Sequence, residues 1–190
     1  YDSSKKAKNN KSPGPDGIPM EFYKRLNGQA LEVILEIINK IWEEEWFLEN
    51  MEEANVVTLY KKGNAEDPAN YRPIALLQSI YKIYAGMIKN RLADAIDNRI
   101  WKLQFGFRGK KSTAQAMFIC RRLQDIIEQS DDSLTMIFLD WEKAFDKVYQ
   151  DELVNAVRRM NIPGKMVSAL KTFYDNPRFR IKDMEGKSTW

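Results

Sequence analysis

The stretch "LTMIFLDWEKAFDKV", residues 134–148, limits what this chain can fold into more than any other. Its apolar run predicts a strand over Leu134–Leu139, and the run ends directly on Asp140. An ionised carboxylate at the tip of a buried strand is unfavourable unless something positive meets it. Two roles satisfy that demand. Asp140 either caps the turn that follows, as aspartates often do, or it holds a cation. The second role suits Mg²⁺, which takes oxygen ligands and keeps substrate phosphates in its shell. One carboxylate cannot clamp two ions about 3.5–4 Å apart, so a site of that kind needs further ligands from elsewhere in the fold. Asp146 is expected to be structural, because a strand-to-turn passage leaves it facing away from Asp140.

Composition narrows the chemistry. The 190 residues contain no histidine and one cysteine, Cys120. Imidazole bases, the Ser-His-Asp triad, histidine metal sites, internal disulfides and thiolate zinc clusters are thereby excluded. Carboxylates, lysines, arginines and hydroxyls remain. A strand ending in aspartate also opens the Asp-nucleophile phosphatases, and "LDWEKA" places an acid two residues on. Those enzymes need a later strand bearing a hydroxyl, then a lysine; Ser168 and Lys171 follow no predicted strand. Net charge is +3, yet residues 61–122 carry 13 basic against 4 acidic side chains, whereas 123–154 carry 2 against 9. The first block is a footprint for a polyanion and the second a candidate cation site. No apolar run of membrane-spanning length and no signal peptide is visible, so no membrane partner is expected.

Helical spacing of Leu31, Ile34, Leu35, Ile38, Trp42 and Trp46 predicts a helix over 29–49. "ANVVTLY" (54–60) predicts a strand, "KKGNAEDPANYRP" (61–73) a polar loop, and the residues after Pro73 a helix to about Asn98. "LQFGFRGKKS" is a glycine-punctuated basic loop. Ser112 and Gln115 form a capping box for a helix ending near Gln129. "SDDS" turns the chain into 134–139. Helices follow at about 151–160 and after Pro163-Gly164, and "RFRIKDMEGKSTW" predicts a hairpin turning at "DMEG". The fold class is α+β.

Four blocks in order, "KSPGPDGIPMEFYK", "ANVVTLYKKGNAEDPANYRPIALLQSIYKIYAGMIKNRL", "QFGFRGKKSTAQAMF" and "FLDWEKAFDKV", resemble the reverse transcriptase domain of non-LTR (LINE-type) retrotransposons. The resemblance covers nearly the whole chain. It implies part of a right-hand polymerase fold: helical fingers with an N-terminal extension over about 1–130, the first catalytic strand of an antiparallel palm sheet over about 131–150, and a return to the fingers over about 151–190. It implies an RNA-directed DNA polymerase that uses two Mg²⁺ ions, with RNA template, DNA primer or target and dNTPs as partners. Other domains of one polyprotein, an endonuclease and the rest of palm and thumb, are implied too, as is an intracellular setting in nucleus or cytoplasm.

Residue by residue, Asp140 matches the first catalytic aspartate and metal ligand, its remaining partners lying outside this chain. Asp131-Asp132 lacks the family's aromatic lead and reads as a polar turn. Phe145 matches the bulky residue beneath the incoming sugar, although periodicity alone reads it as core. The main-chain N–H groups of Trp141, Glu142, Lys143 and Ala144 would cradle the triphosphate. Lys61 or Lys62, with Arg72, match fingertip cations closing on it. Gln104, Phe105, Phe107, Arg108, Lys110 and Lys111 match a block beside template and nucleotide, where a basic loop with interleaved aromatics suits backbone contact and base stacking. "SPGPDGIP" matches an extension that helps hold the template. A complete second carboxylate pair is not recognisable in these residues, so the fragment is expected to be inactive alone. The alternative is an RNA-binding remnant that acts through the basic block without catalysis.

Overall fold

Apolar residues three and four apart from Leu31 onward make one helical face. Ile38 of that face is buried with Ile41; Ile34 and Trp42 pack against them, and Leu35 and Trp46 are exposed. The computed structural model describes residues 5, 7–130 and 132–181. In it α1 spans Met20–Arg25 and α2 spans Gly28–Glu44. The second helix stops at Glu45, which adopts a left-handed conformation (φ 54°) while its N–H still bonds to the Ile41 carbonyl. Trp46 therefore lies beyond the helix, short of the predicted end at 49.

Strand β1 is Glu53–Tyr60, close to the expected boundaries. Strand β2 is Tyr71–Leu77, where the sequence predicted loop and then helix. It pairs antiparallel with β1, from Ala54 opposite Leu77 to Tyr60 opposite Tyr71. Pro73 is tolerated because β2 is an edge strand, and a proline there can leave its missing donor on the open side. Helix α3 accordingly begins at Ser79 and runs to Ile96. A third strand, β3, covers Arg178–Ile181 and pairs in parallel with β1, from Glu53 opposite Arg178 to Val56 opposite Ile181. The sheet order is β2-β1-β3, with one antiparallel and one parallel pair. Glu53 and Asn55 are buried on β1, and β3 satisfies both. Arg180 Nε donates to Asn55 Oδ1 at 3.0 Å, and Arg178 lies 3.7 Å from the Glu53 carboxylate. The "DMEG" turn falls outside the described residues, as does Asp131 of "SDDS".

The chain divides into two compact units. One takes in residues up to Asn90 and those from Pro163 on; the other runs from Arg91 to Ile162. In the first, Met20, Tyr23, Ile38, Ile41, Ile83, Tyr84 and Ile88 form the core with Phe47 and Ala169 of helix α6 (Gly164–Lys171, numbered after α4 and α5 below). Phe47 is its aromatic hub, with ring centroids 5.1 Å from Tyr81, 5.9 Å from Tyr84 and 5.2 Å from Phe173. The "SPGPDGIP" loop is bound tightly to the joint between β2 and α3. Gly14 is buried, and a Cβ there would sit 2.4 Å from the Gln78 amide nitrogen. Ser79 Oγ donates to the Ile18 carbonyl at 2.8 Å.

The second unit holds the end of α3, helix α4 (Thr113–Ser130) and helix α5 (Gln150–Arg159). Half of the expected capping box is present: the Ser112 N–H donates to Gln115 Oε1 at 3.0 Å. The predicted strand over 134–139 is not formed. Ile137, Phe138 and Leu139 are 79%, 83% and 79% exposed. The physical reason is a missing neighbour. Strand propensity alone does not hold an extended segment in water, and among the described residues none pairs with 134–139. Helix α4 is open in the same way, with no buried residue and with Met117, Phe118, Leu123 and Ile126 exposed. Among the described residues no helix is long and apolar enough to cross a membrane.

Candidate nucleotide and template site

The expected site residues lie on three structures, one in the first unit and two in the second. In the first unit, the β1–β2 connection is a built loop rather than a loose one. Tyr60 Oη donates to the Gly63 carbonyl at 2.6 Å, and Asp67 accepts from the Ala69 N–H at 2.9 Å. Asn70 Nδ2 reaches the Asn64 carbonyl, and Tyr71 Oη the Ala65 carbonyl. The Lys61 N–H donates to the Asn70 carbonyl at 2.8 Å, continuing the ladder one pair past Tyr60–Tyr71. Arg72 pairs with Leu59 and is exposed on the strand, not in the loop where the sequence placed it. The ladder bond of Lys61 carries strand alternation one residue past β1 and puts Lys61 on the face of Leu59 and Arg72, whereas Lys62 lies in the bend that follows.

In the second unit, Asp140 is exposed at the end of the extended 134–139 segment. It does not sit at the tip of a buried strand, as the sequence predicted. Among the described residues no group of three acidic, cysteine or histidine side chains gathers for a metal. Asp140 is thus one hard oxygen donor facing solvent. Trp141, Glu142, Lys143 and Ala144 lead into consecutive turns over 142–147, with Lys143 in the left-handed region (φ 50°). The turn is closed by the Lys147 N–H on the Lys143 carbonyl at 3.1 Å, and Lys147 pairs with Glu142 at 3.1 Å. Asp146 is exposed, outside any core.

The third structure is the loop between α3 and α4. Phe107 is 96% exposed and, like Lys110, has φ of 60°. Phe105 is half-buried beneath Lys111, whose ammonium lies 5.4 Å from the ring centre. Gln104 Nε2 donates to the Gly106 carbonyl within the same turn. Arg108 points inward. Its Nε donates to Asp97 Oδ1 at 2.9 Å, Nη2 to the Asp97 carbonyl at 2.8 Å, and Nη1 to the Trp101 carbonyl at 3.0 Å. The hydrogen bond from Arg108 holds the Asp97 carboxyl below the usual carboxylate range, and that same bond raises the guanidinium.

The loop and the Asp140 segment meet. Phe107 and Phe145 pack edge to face with ring centroids 6.0 Å apart. Phe145 is 79% exposed, so it is not the core residue that periodicity suggested.

Residues 59–190 match the family model described as reverse transcriptase (RNA-dependent DNA polymerase). This chain belongs to the reverse transcriptase family. Its relatives include RNA-directed DNA polymerases of non-LTR retrotransposons. The chain is 32% identical over 177 residues to a protein named probable RNA-directed DNA polymerase from transposon BS of Drosophila melanogaster, covering 90% of this chain and 19% of that protein. It is 28% identical over 174 residues to the RNA-directed DNA polymerase from mobile element jockey of the same organism, again covering 90% and 19%. A transposon TX1 protein of Xenopus laevis is 28% identical over 173 residues, 91% of this chain and 13% of its own length. The reverse transcriptase segment thus spans a fifth or less of these relatives.

Two features of this reverse transcriptase segment escaped the sequence reading. Asp97 lies 11 residues before Arg108 in an unremarkable helix end, and nothing in its neighbours signals the pairing. The shared face of Lys61 and Arg72 needed the register of a strand that the sequence read as loop.

Proposed function

We propose that this chain is the fingers and first catalytic segment of an RNA-directed DNA polymerase that copies retrotransposon RNA into DNA by two-metal nucleotidyl transfer. The observation that carries this reading is the packing of Phe107 on Phe145. It sets the basic, aromatic loop beside the segment that begins at Asp140, as joint handling of template and nucleotide requires.

In the proposed reaction the primer 3′-hydroxyl oxygen forms a bond to the α-phosphorus of a dNTP, and the bond to pyrophosphate breaks. Asp140, an exposed carboxylate with hard oxygen donors, would hold magnesium. When bound, the metal ions supply neutralisation of phosphate charge and a more acidic attacking hydroxyl. Asp140 offers one carboxylate, so the further ligands and the strand neighbours of 134–139 come from elsewhere in a longer polyprotein. These 190 residues alone are therefore not expected to extend a primer. Lys61 and Arg72, on one strand face, close on the triphosphate as a point charge and a bidentate fork. Lys62, in the bend beyond the ladder, serves less. Amides of 141–144 cradle phosphate oxygens, and Phe145 lies beneath the sugar, where a ribose 2′-hydroxyl would collide with it. Gln104, Phe105, Phe107, Lys110 and Lys111 meet the template by stacking and backbone charge. Copying takes place inside the cell, in nucleus or cytoplasm.

The test is steady-state primer extension by the polyprotein carrying this chain. Lys61→Ala and Arg72→Ala should each raise the dNTP KM about ten-fold or more, with template affinity changed less than about two-fold. Lys62→Ala should change KM less than about three-fold. An unchanged KM for Arg72→Ala, or a larger effect for Lys62→Ala, would overturn the fingertip assignment.

A further inference from the structure

Arg108 stands out in the basic loop because its guanidinium serves several backbone carbonyls, whereas Lys111 reaches one, that of Lys102 at 3.4 Å. Counting the Gln104 carbonyl at 3.5 Å, it donates to three main-chain carbonyls and to one carboxylate. Its side chain is 10% exposed, although the loop around it lies open to water. Two of those carbonyls, of Asp97 and Trp101, bracket the stretch just after α3, where helix-end carbonyls lack intrahelical partners. A planar fork with five donors suits that task, and an ammonium does not. The next residue back, Phe107, is held at φ 60°, a strained setting for a bulky side chain that persists only where its surroundings enforce it.

We infer that Arg108 is a positioning residue: with Asp97 it clamps the loop from Trp101 to Lys111 so that Phe107, Lys110 and Lys111 are pre-formed for single-stranded nucleic acid, and it does not itself contact the strand. This rests on the reading of the loop as a template surface. It differs from that reading in what it says of the cation itself. Four of the five N–H donors are engaged, so a bidentate phosphate contact would need the guanidinium to give up bonds it makes here. A clamp keeps them and lowers the ordering needed on binding.

The two roles predict opposite signs for one substitution. Asp97→Ala removes a negative charge near a polyanion and frees Arg108. If Arg108 touches phosphate, RNA should bind more tightly. If it clamps, loss of loop order outweighs the charge effect, which for one screened surface group is about two-fold. Binding of a fluorescein-labelled single-stranded RNA to the full chain, read by anisotropy, should weaken about three- to ten-fold in Asp97→Ala. Arg108→Lys, which keeps the charge, should weaken it similarly. Asp97→Asn keeps the Oδ1 acceptor but not the charge, and should weaken binding less than Asp97→Ala does. Amide hydrogen exchange over 101–111 should quicken in Asp97→Ala and Arg108→Lys, with helix α4 unchanged as the folding control.

Binding in Asp97→Ala that is unchanged or tighter overturns the inference, whatever the exchange shows. So does full retention of affinity by Arg108→Lys. If the unaltered chain fails to bind RNA, the template reading falls and the exchange alone decides. Faster exchange over 101–111 then sustains the clamp, and unchanged exchange removes it.

Discussion

Gly14→Ala is the substitution whose effect the structure specifies most sharply. An alanine Cβ at this position would lie 2.4 Å from the Gln78 nitrogen, 2.5 Å from the Leu77 carbonyl carbon and 2.6 Å from the Gln78 Cα. Ordinary contacts between such atoms lie about an ångström further out. All three atoms are backbone, in the joint between β2 and α3, so no rotamer change relieves the clash. Overpacking of this kind destabilises by about 1–3 kcal/mol, and an obstruction that cannot move puts Gly14→Ala at about 3 kcal/mol. For a chain of this size that is a fall of roughly 6–12 °C in Tm. Gly17→Ala is the control. Its φ of 71° strains an alanine, but nothing lies within 4 Å of the added carbon. It should lose about 1–2 kcal/mol, the left-handed penalty alone. Urea unfolding followed by far-UV circular dichroism measures both. A loss under about 1 kcal/mol at Gly14, or a larger loss at Gly17 than at Gly14, would refute the claim that the N-terminal loop is seated on that joint.

Further outcomes follow from the same packing and electrostatics. Phe47→Ala removes the ring shared by Tyr81, Tyr84 and Phe173 and should destabilise by about 3–5 kcal/mol in the same urea assay. Asp97 has a folded-state pKa below its ordinary 3.8, so its contribution is present above that value and is lost as pH falls through the lower, folded one. Protection factors over 101–111, corrected for intrinsic exchange at each pH, should therefore be unchanged from pH 7 to 5, and loosening should set in only below the ordinary carboxylate range. Burial pushes Tyr81 up from 10.0 to about 12, so its neutral form stabilises below pH 10 and that contribution is lost as pH rises towards 12. Its phenolate absorbance should appear near pH 12 in the unaltered chain and near 10 in urea.

The sequence carried the local elements well where one face is buried by neighbours close at hand. The α2 stripe, the β-branched run of β1 and the Gln115 cap all emerged near their observed positions. Errors fell where a distant partner decides. Pro73 and the polar "NYRP" read as loop because edge-strand tolerance cannot be known before the sheet order. The parallel pairing of β3 with β1 joins residues more than a hundred positions apart, and nothing local to "RFRI" announces it. Residues 134–139 have strand composition but no strand neighbour among the described residues, so composition promised more than those residues form. In the candidate site, Asp140, Phe145 and the basic loop were named from the sequence through the family resemblance, and the roles given to them are proposals. The inward turn of Arg108 and the shared face of Lys61 and Arg72 were not legible, because both depend on tertiary geometry.

The most direct test of Asp140 as metal ligand is RNA-templated primer extension in Mg²⁺ by the polyprotein carrying this chain, with Asp140→Ala compared against Asp146→Ala. Extension should fall by about a thousand-fold or more for Asp140→Ala, with RNA binding retained, and by no more than a few-fold for Asp146→Ala. Near-normal extension by Asp140→Ala, or equal losses at both aspartates, would contradict the account.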